Sequence, residues 1–598
     1  IQSLSLGKIS PQSQEHAICV LAFIAEDNEN HNEIIKAKGI RLLIEALSAE
    51  KTLSLTAMRA AATGLAHLAA DDVDRQKLVC EAIEPLVKWL SKTDALRLGA
   101  ARALAAICRG NKPLQVRVAQ ALAIAPLVSM LEKHASPEGY EAACESIATL
   151  AVDNPNNQAE IALKGAIPLL IRLLQDTKPA ICENAALAVA MLSDLADNKL
   201  LVANHGGIKP LITLLSTGNL AAKMFAARAV SLLAHENEEN QLALIHAAIP
   251  LADLLSSELS ETQEWAQLAM LRLALNPSNR ATVVKPLVAV LSGRNTSAQL
   301  KAAECLAMLL ERCPAARSTI ASAGAIPPLV QLLGNGQRSD LHTPPERAAL
   351  VLSELVRLPE SKIDVVREGG LQPLVVMLSS SCRESQAHAA CALWHLSVVA
   401  EHKPMIVGMN SVQPLVKLLT HGSAQSQKCA ARTLWQLCSS TDTKVLFVQL
   451  NGIQSLVTCL RRNSKSKVTL TPSNSTPPSG AKQSSQYATT QTQARPASSP
   501  APGAAPTGAG QDADEAQEES VQEAVATVLS EFACTQSANR ALIVDAGGLI
   551  VFMDILCDHS PSNAVVEHVL KGLWGLSQES RYRTKIARRE GLIIKLVD

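Results

Sequence analysis

"GAIPLLIRLL" occupies residues 165–174, and "GAIPPLVQLL" respells it at 324–333. The phrase reads as a corner between two helices. Glycine takes the left-handed conformation that ends one helix, and proline in the first turn of the next loses no hydrogen bond there. Phased on the proline, the phrase recurs at Pro85, Pro126, Pro168, Pro210, Pro250, Pro286, Pro328, Pro373 and Pro414, with separations of 41, 42, 42, 40, 36, 42, 45 and 41 residues. Leu42, Ser455, Val551 and Ile594 keep the phase without proline. A fixed period of this length belongs to stacked helical repeats, each too small to bury its own apolar face.

Composition points the same way. Apolar residues make up 47% of the chain but aromatics only 2%, so the core is Leu, Ala, Val and Ile. That mixture favours helix packed on helix. The 55 basic and 55 acidic residues cancel, which leaves no global field to attract nucleic acid. No apolar run approaches the ~20 residues of a membrane span. The 14 cysteines are scattered singly, without metal-ligand spacing, as in reduced proteins of the cytoplasm or nucleus.

One unit shows the mechanics. A short first helix around "KLLVAN" (199–204) ends at Gly206-Gly207, and "IKPLITLL" (208–215) opens a second. After "STGN" comes a third, "LAAKMFAARAVSLLAHE" (220–236), apolar at i, i+3, i+4 and i+7. The pattern N-x-x-N-Q-x-x-[IL]-x-x-x-G-[AG]-I-x-P-L, as in "NPNNQAEIALKGAIPLLIRLL" (154–174), resembles the armadillo repeat. The resemblance implies an all-α, right-handed superhelical solenoid of about 12–13 three-helix repeats whose third helices line a concave groove. Corners such as "GAIPPLVQLL" are also similar to those of vacuolar-type and U-box-associated armadillo arrays. Residues 11–26 read as a third helix without its first two and 590–598 as a second without its third, so the array is expected to be cut at both ends.

Three places break the rhythm. The 36-residue unit before Pro286 lacks a corner glycine in "NRATVVKPL", and a truncated first helix is expected there. "GNGQRSDLHTPPE" (334–346) lengthens one loop. Residues 461–519, rich in Ser, Thr, Pro, Ala, Gly and Gln, read as a disordered insert between the second and third helices of one repeat. The array therefore covers 1–460 and 520–598.

Motifs for nucleotide binding, zinc proteases and nucleophile elbows are absent, so no catalysis, cofactor or metal is expected. Function is expected instead on the third helices. The armadillo groove asparagine maps to His67, Ala106, Thr149, Met191, Leu232, Arg272, Met308, Glu354, His395, Gln436, Glu531 and Gly575, none of them Asn. One turn earlier, where importin-α-like receptors carry tryptophan, stand Thr63, Arg102, Glu145, Leu187, Arg228, Leu268, Glu304, Leu350, Cys391, Arg432, Thr527 and Lys571. Without the Trp/Asn ladder, this is not a typical import receptor.

The candidate partner-binding residues are therefore His67, Arg102, Glu145, Arg228, Arg272, Glu304, Glu354, His395, Arg432, Gln436, Glu531 and Lys571; the competing reading is a solvated helix face. Trp394, Trp435 and Trp574 share one phase and read either as an aromatic anchor strip or as packing between third helices. Ser464, Thr471, Thr476 and Ser499 are candidate phosphorylation sites. The resemblance implies a protein-binding scaffold or adaptor that takes extended or helical segments of other proteins. The competing expectations are the recognition array of a ubiquitin ligase with its catalytic module elsewhere, and a transport receptor.

Overall fold

The computed structural model describes residues 10–49, 52–70, 72–132, 136–334, 343–465, 520–557, 562–589 and 592–597. Those residues are helical, with no strand among them. They form two compact units, Ile1–Gly370 and Leu371–Asp598, each an all-α armadillo solenoid in architecture. Within the first unit the third helices stack in sequence, from Pro11–Ile24 through Leu220–Ala234, Ser260–Leu275 and Thr296–Arg312 to Pro344–Leu355. In the second, Arg383–Ser397, Ala424–Leu437, Val521–Thr535 and Asn563–Ser577 do the same.

The stack is close because the contact faces are small. Ala226, Ala227, Ala229 and Val230 are wholly buried, as are Leu233 and Leu273. Polar residues set where each helix starts. Asn219 accepts a hydrogen bond from the Ala222 amide (2.8 Å) and Asn295 one from Ala298 (3.1 Å), both N-caps.

The corner phrase behaves as its residues dictate. Gly165 has φ +81° and precedes the Ala166–Leu173 helix. The same left-handed conformation recurs at Gly206, Gly324, Gly369 and Gly547, and also at Asn410, Asn451, Lys38 and Leu122. The backbone shape is thus kept where the glycine is not. Two corners use a short 3-10 turn instead, Cys80–Ala82 and Ile245–Ala247. At Pro286 there is no corner. Pro277–Leu291 is one continuous helix with Pro286 inside it, in place of the truncated first helix expected. Val283, Val284 and Lys285 precede that proline, and a β-branched residue resists the left-handed turn, so the helix runs on.

First helices carry an amide ladder that ties repeat to repeat. Asn157 Nδ2 donates to the carbonyls of Leu150 (2.9 Å) and Gln115 (3.4 Å). Asn198 does the same to Leu192 (3.0 Å) and Gln158 (3.3 Å), and Asn240 to Leu233 (3.1 Å) and Lys199 (3.3 Å). Each reaches the end of the preceding third helix, where carbonyls lack helical partners, and the first helix before its own. The next residue adds a rung: Gln158 to Ala151 (2.8 Å), Gln241 to Ala234 (2.9 Å), Gln115 forward to Thr149 (3.0 Å). These asparagines and glutamines are buried, and every bond removes a desolvated orphan.

The Gly452–Lys465 helix includes residues 461–465 and packs on Val521–Thr535. Thr471, Thr476 and Ser499 lie outside the described residues, with the rest of the insert.

Candidate functional site

Every candidate groove residue falls on a third helix, but the row divides by what each side chain already holds. The glutamates are neutralised. Glu145 meets Arg109 at 2.6 Å. Glu304 lies between Lys301 (3.5 Å) and Arg347 (3.7 Å), and Glu354 between Arg317 (2.7 Å) and Arg357 (3.0 Å). Glu531 is bonded by Lys571, which raises the lysine pKa. Met191 and Gly575, placed at the groove position by register, are buried; a Cβ on Gly575 would sit 2.8 Å from the Ala533 carbonyl carbon.

The arginines differ. Among the described residues, Arg228, Arg272 and Arg312 form no ion pair within 4 Å. Arg228 stacks over the Trp265 ring at 5.0 Å, and its enclosed Nε has no hydrogen-bond acceptor. Arg272 donates from Nη1 to the Ser231 carbonyl (2.8 Å) and Oγ (2.9 Å). Behind it, Lys199 is 7% exposed and makes one bond, Nζ to the His235 carbonyl at 2.8 Å. Burial lowers the pKa of Lys199, Arg228 and Arg272, and the neighbouring Arg312 adds to the effect at Arg272. The carboxylates that pull the other way, Asp153, Asp194, Glu236 and Glu261, are exposed and stand off.

Beside these arginines a cleft of about 690 Å³ opens between Thr296–Arg312 and Pro344–Leu355. Ala307, Met308, Leu310 and Leu350 give it apolar lining, and Gln267, Glu304, Glu311, Arg317, Arg347 and Glu354 its polar lining. A second cavity of about 600 Å³, including Lys209, Thr213, Thr217 and Asn219, lies among second helices, loops and the starts of third helices at Pro179, Cys182 and Ala222.

The other candidates are scattered. Arg102 is exposed, and the enclosed ring nitrogens His67 Nδ1 and His395 Nε2 have no partner. His395 stacks on Trp394 at 4.6 Å. Arg432 sits on Ala424–Leu437, where Trp435 and Gln436 line a cavity of about 230 Å³. Trp435 packs edge-on against Phe532 (6.3 Å), whereas Trp574 is 62% exposed, so the three tryptophans do not act as one strip. Ser464 Oγ donates to the Arg461 carbonyl at the end of its helix.

Trp265, Lys199 and Arg312 were not among the sequence candidates. A usable signal exists: Arg109–Glu145, Arg317–Glu354 and Glu531–Lys571 are opposite charges about one repeat apart. None of the fourteen cysteines is in a disulfide. Among the described residues no group of three His, Cys, Asp or Glu could hold a metal, and no helix is long and apolar enough to cross a membrane.

The Armadillo/beta-catenin-like repeat model matches residues 359–398 and 400–439. Catenin beta from Urechis caupo is 26% identical over 240 residues, 39% of this chain and 29% of that one. Armadillo repeat-containing protein 3 from Homo sapiens is 25% identical over 205 residues, 34% of this chain and 23% of its own length. The match therefore spans less than a third of either relative. A crystal structure of an engineered protein superposes with a TM-score of 0.55 and 26% identity, covering 65% of this chain and 97% of that one. The fold is that of a helical-repeat solenoid, a class built on surfaces rather than pockets. The chain thus carries armadillo repeats at 359–439, and its similarity to armadillo-repeat relatives reaches further along it.

Proposed function

We propose that this chain is a non-enzymatic protein-interaction scaffold or adaptor, working in the cytoplasm or nucleus, that holds an extended or helical partner segment along the third helices of the Ile1–Gly370 unit. One observation carries the reading: half-buried cations without counterions, Arg228 and Arg272, share a row with an open cleft. Cations taken partly out of water and left unpaired lose hydration that an anionic partner restores. The glutamates speak against a basic import peptide, because Glu145, Glu304, Glu354 and Glu531 already have cations. The test is affinity capture with the intact chain and with Arg228→Glu/Arg272→Glu, read by mass spectrometry. Partners captured by the native chain should drop out of the double variant; an unchanged set would remove the assignment.

A further inference from the structure

The cleft and the cations ask for different side chains, and their spacing ties the two demands together. Two of the three glutamates that line the cleft are held, Glu304 by Lys301, Arg347 and Gln267, and Glu354 by Arg317 and Arg357, while Glu311 is exposed to solvent. A partner lysine seated against Glu304 or Glu354 would have to displace one of those cations, whereas an apolar side chain meets Ala307, Met308 and Leu350 directly. Between Glu304 and Glu354 the apolar lining favours a bulky uncharged side chain.

One helix away, Arg272 offers donors beyond the two bonds it makes to Ser231. Lys199 sets a buried positive charge behind it. Gln76 and Gln115 make the same forward rung with a neutral amide, to the Arg109 carbonyl (2.8 Å) and the Thr149 carbonyl (3.0 Å). The ladder therefore does not require a charge at 199, and burying one costs solvation. Asp194 and Glu236 face this cluster but are exposed and form no ion pair with Lys199 or Arg272 within 4 Å.

Neighbouring helices in such a stack lie about 8–10 Å apart, and an extended chain advances about 3.3 Å per residue, so one helix step takes about three residues. We propose that the partner segment is extended and carries a bulky uncharged side chain for the 296–312/344–355 cleft and a carboxylate about three residues away for Arg272. A second carboxylate a further helix step along meets Arg228 beside Trp265. This rests on the scaffold reading above and gives it a partner chemistry.

The experiment is a random-peptide display selection on the full chain, counter-screened on Arg272→Glu, on Ala307→Trp, which fills the cleft, and on Lys199→Gln, which keeps the rung. Selected peptides should combine a large apolar residue with an acidic one at that spacing. Measured by fluorescence anisotropy, they should weaken about tenfold or more on Arg272→Glu and several-fold on Lys199→Gln. On Ala307→Trp they should no longer distinguish their apolar residue from serine. Peptides lost on these variants but lacking the acidic–apolar spacing would overturn the proposed chemistry and leave the scaffold reading standing. Binders indifferent to all three variants, or no binders at all, would overturn both.

Discussion

The Arg228 guanidinium lies 5.0 Å from the centre of the Trp265 ring, across two adjacent third helices. The tryptophan supplies a polarisable face where no carboxylate is within ion-pairing distance, holding the arginine without neutralising it. Replacing Trp265 with Leu keeps an apolar side chain and deletes the ring. Loss of roughly 0.5–1 kcal/mol is expected in urea denaturation followed by helical circular dichroism. Arg228→Gln/Trp265→Leu should cost little more than Trp265→Leu alone, because the pair acts as a unit; fully additive losses would dissociate them.

The corners make a reciprocal prediction. Leu122 has φ +65° and is 73% exposed, so its side chain adds little packing to offset the strain of a left-handed turn. That conformation costs roughly 1–2 kcal/mol, of which glycine's greater unfolded freedom returns about half. Leu122→Gly is expected to stabilise the chain by about 0.5–1 kcal/mol, and Gly165→Ala to destabilise it by about 1 kcal/mol. Paired denaturation midpoints moving in opposite directions are the readout. A Leu122→Gly protein less stable than its parent would contradict the strain assigned to this corner.

The amide ladder predicts a cost for one buried side chain. Asn240→Ala removes two N–H donors and strands the Leu233 carbonyl at the end of its helix, for roughly 1–3 kcal/mol. Asn204 is exposed at the end of a first helix, and Asn204→Ala should stay within about 0.5 kcal/mol of the parent. Equal effects at the two positions would mean that the ladder contributes nothing.

The repeat was readable because its corners are local events: a glycine, a proline and an apolar face at helical spacing specify the turn within a dozen residues or so. Lys38 and Leu122 were not readable as left-handed corners, since nothing in either side chain asks for that conformation. The helix through Pro286 went unforeseen for the opposite reason, as proline announces a boundary that its neighbours do not make. The site was harder still. Glu304 and Glu354 look like free acidic side chains along the chain, and only the neighbouring repeats bring Arg347 and Arg317 to them. Trp265 entered the row through a contact with Arg228 thirty-seven residues away, a distance that local pattern does not register.

The acceptors of the amide ladder are main-chain carbonyls, which every neighbour possesses whatever its side chains. A repeat joined this way recognises the shape of the unit before it and is blind to its identity. Units can then be duplicated, deleted or exchanged within the array with the joint preserved. The surface residues of the third helices are left at liberty to diverge, each repeat acquiring its own letter without disturbing the spine on which the word is written.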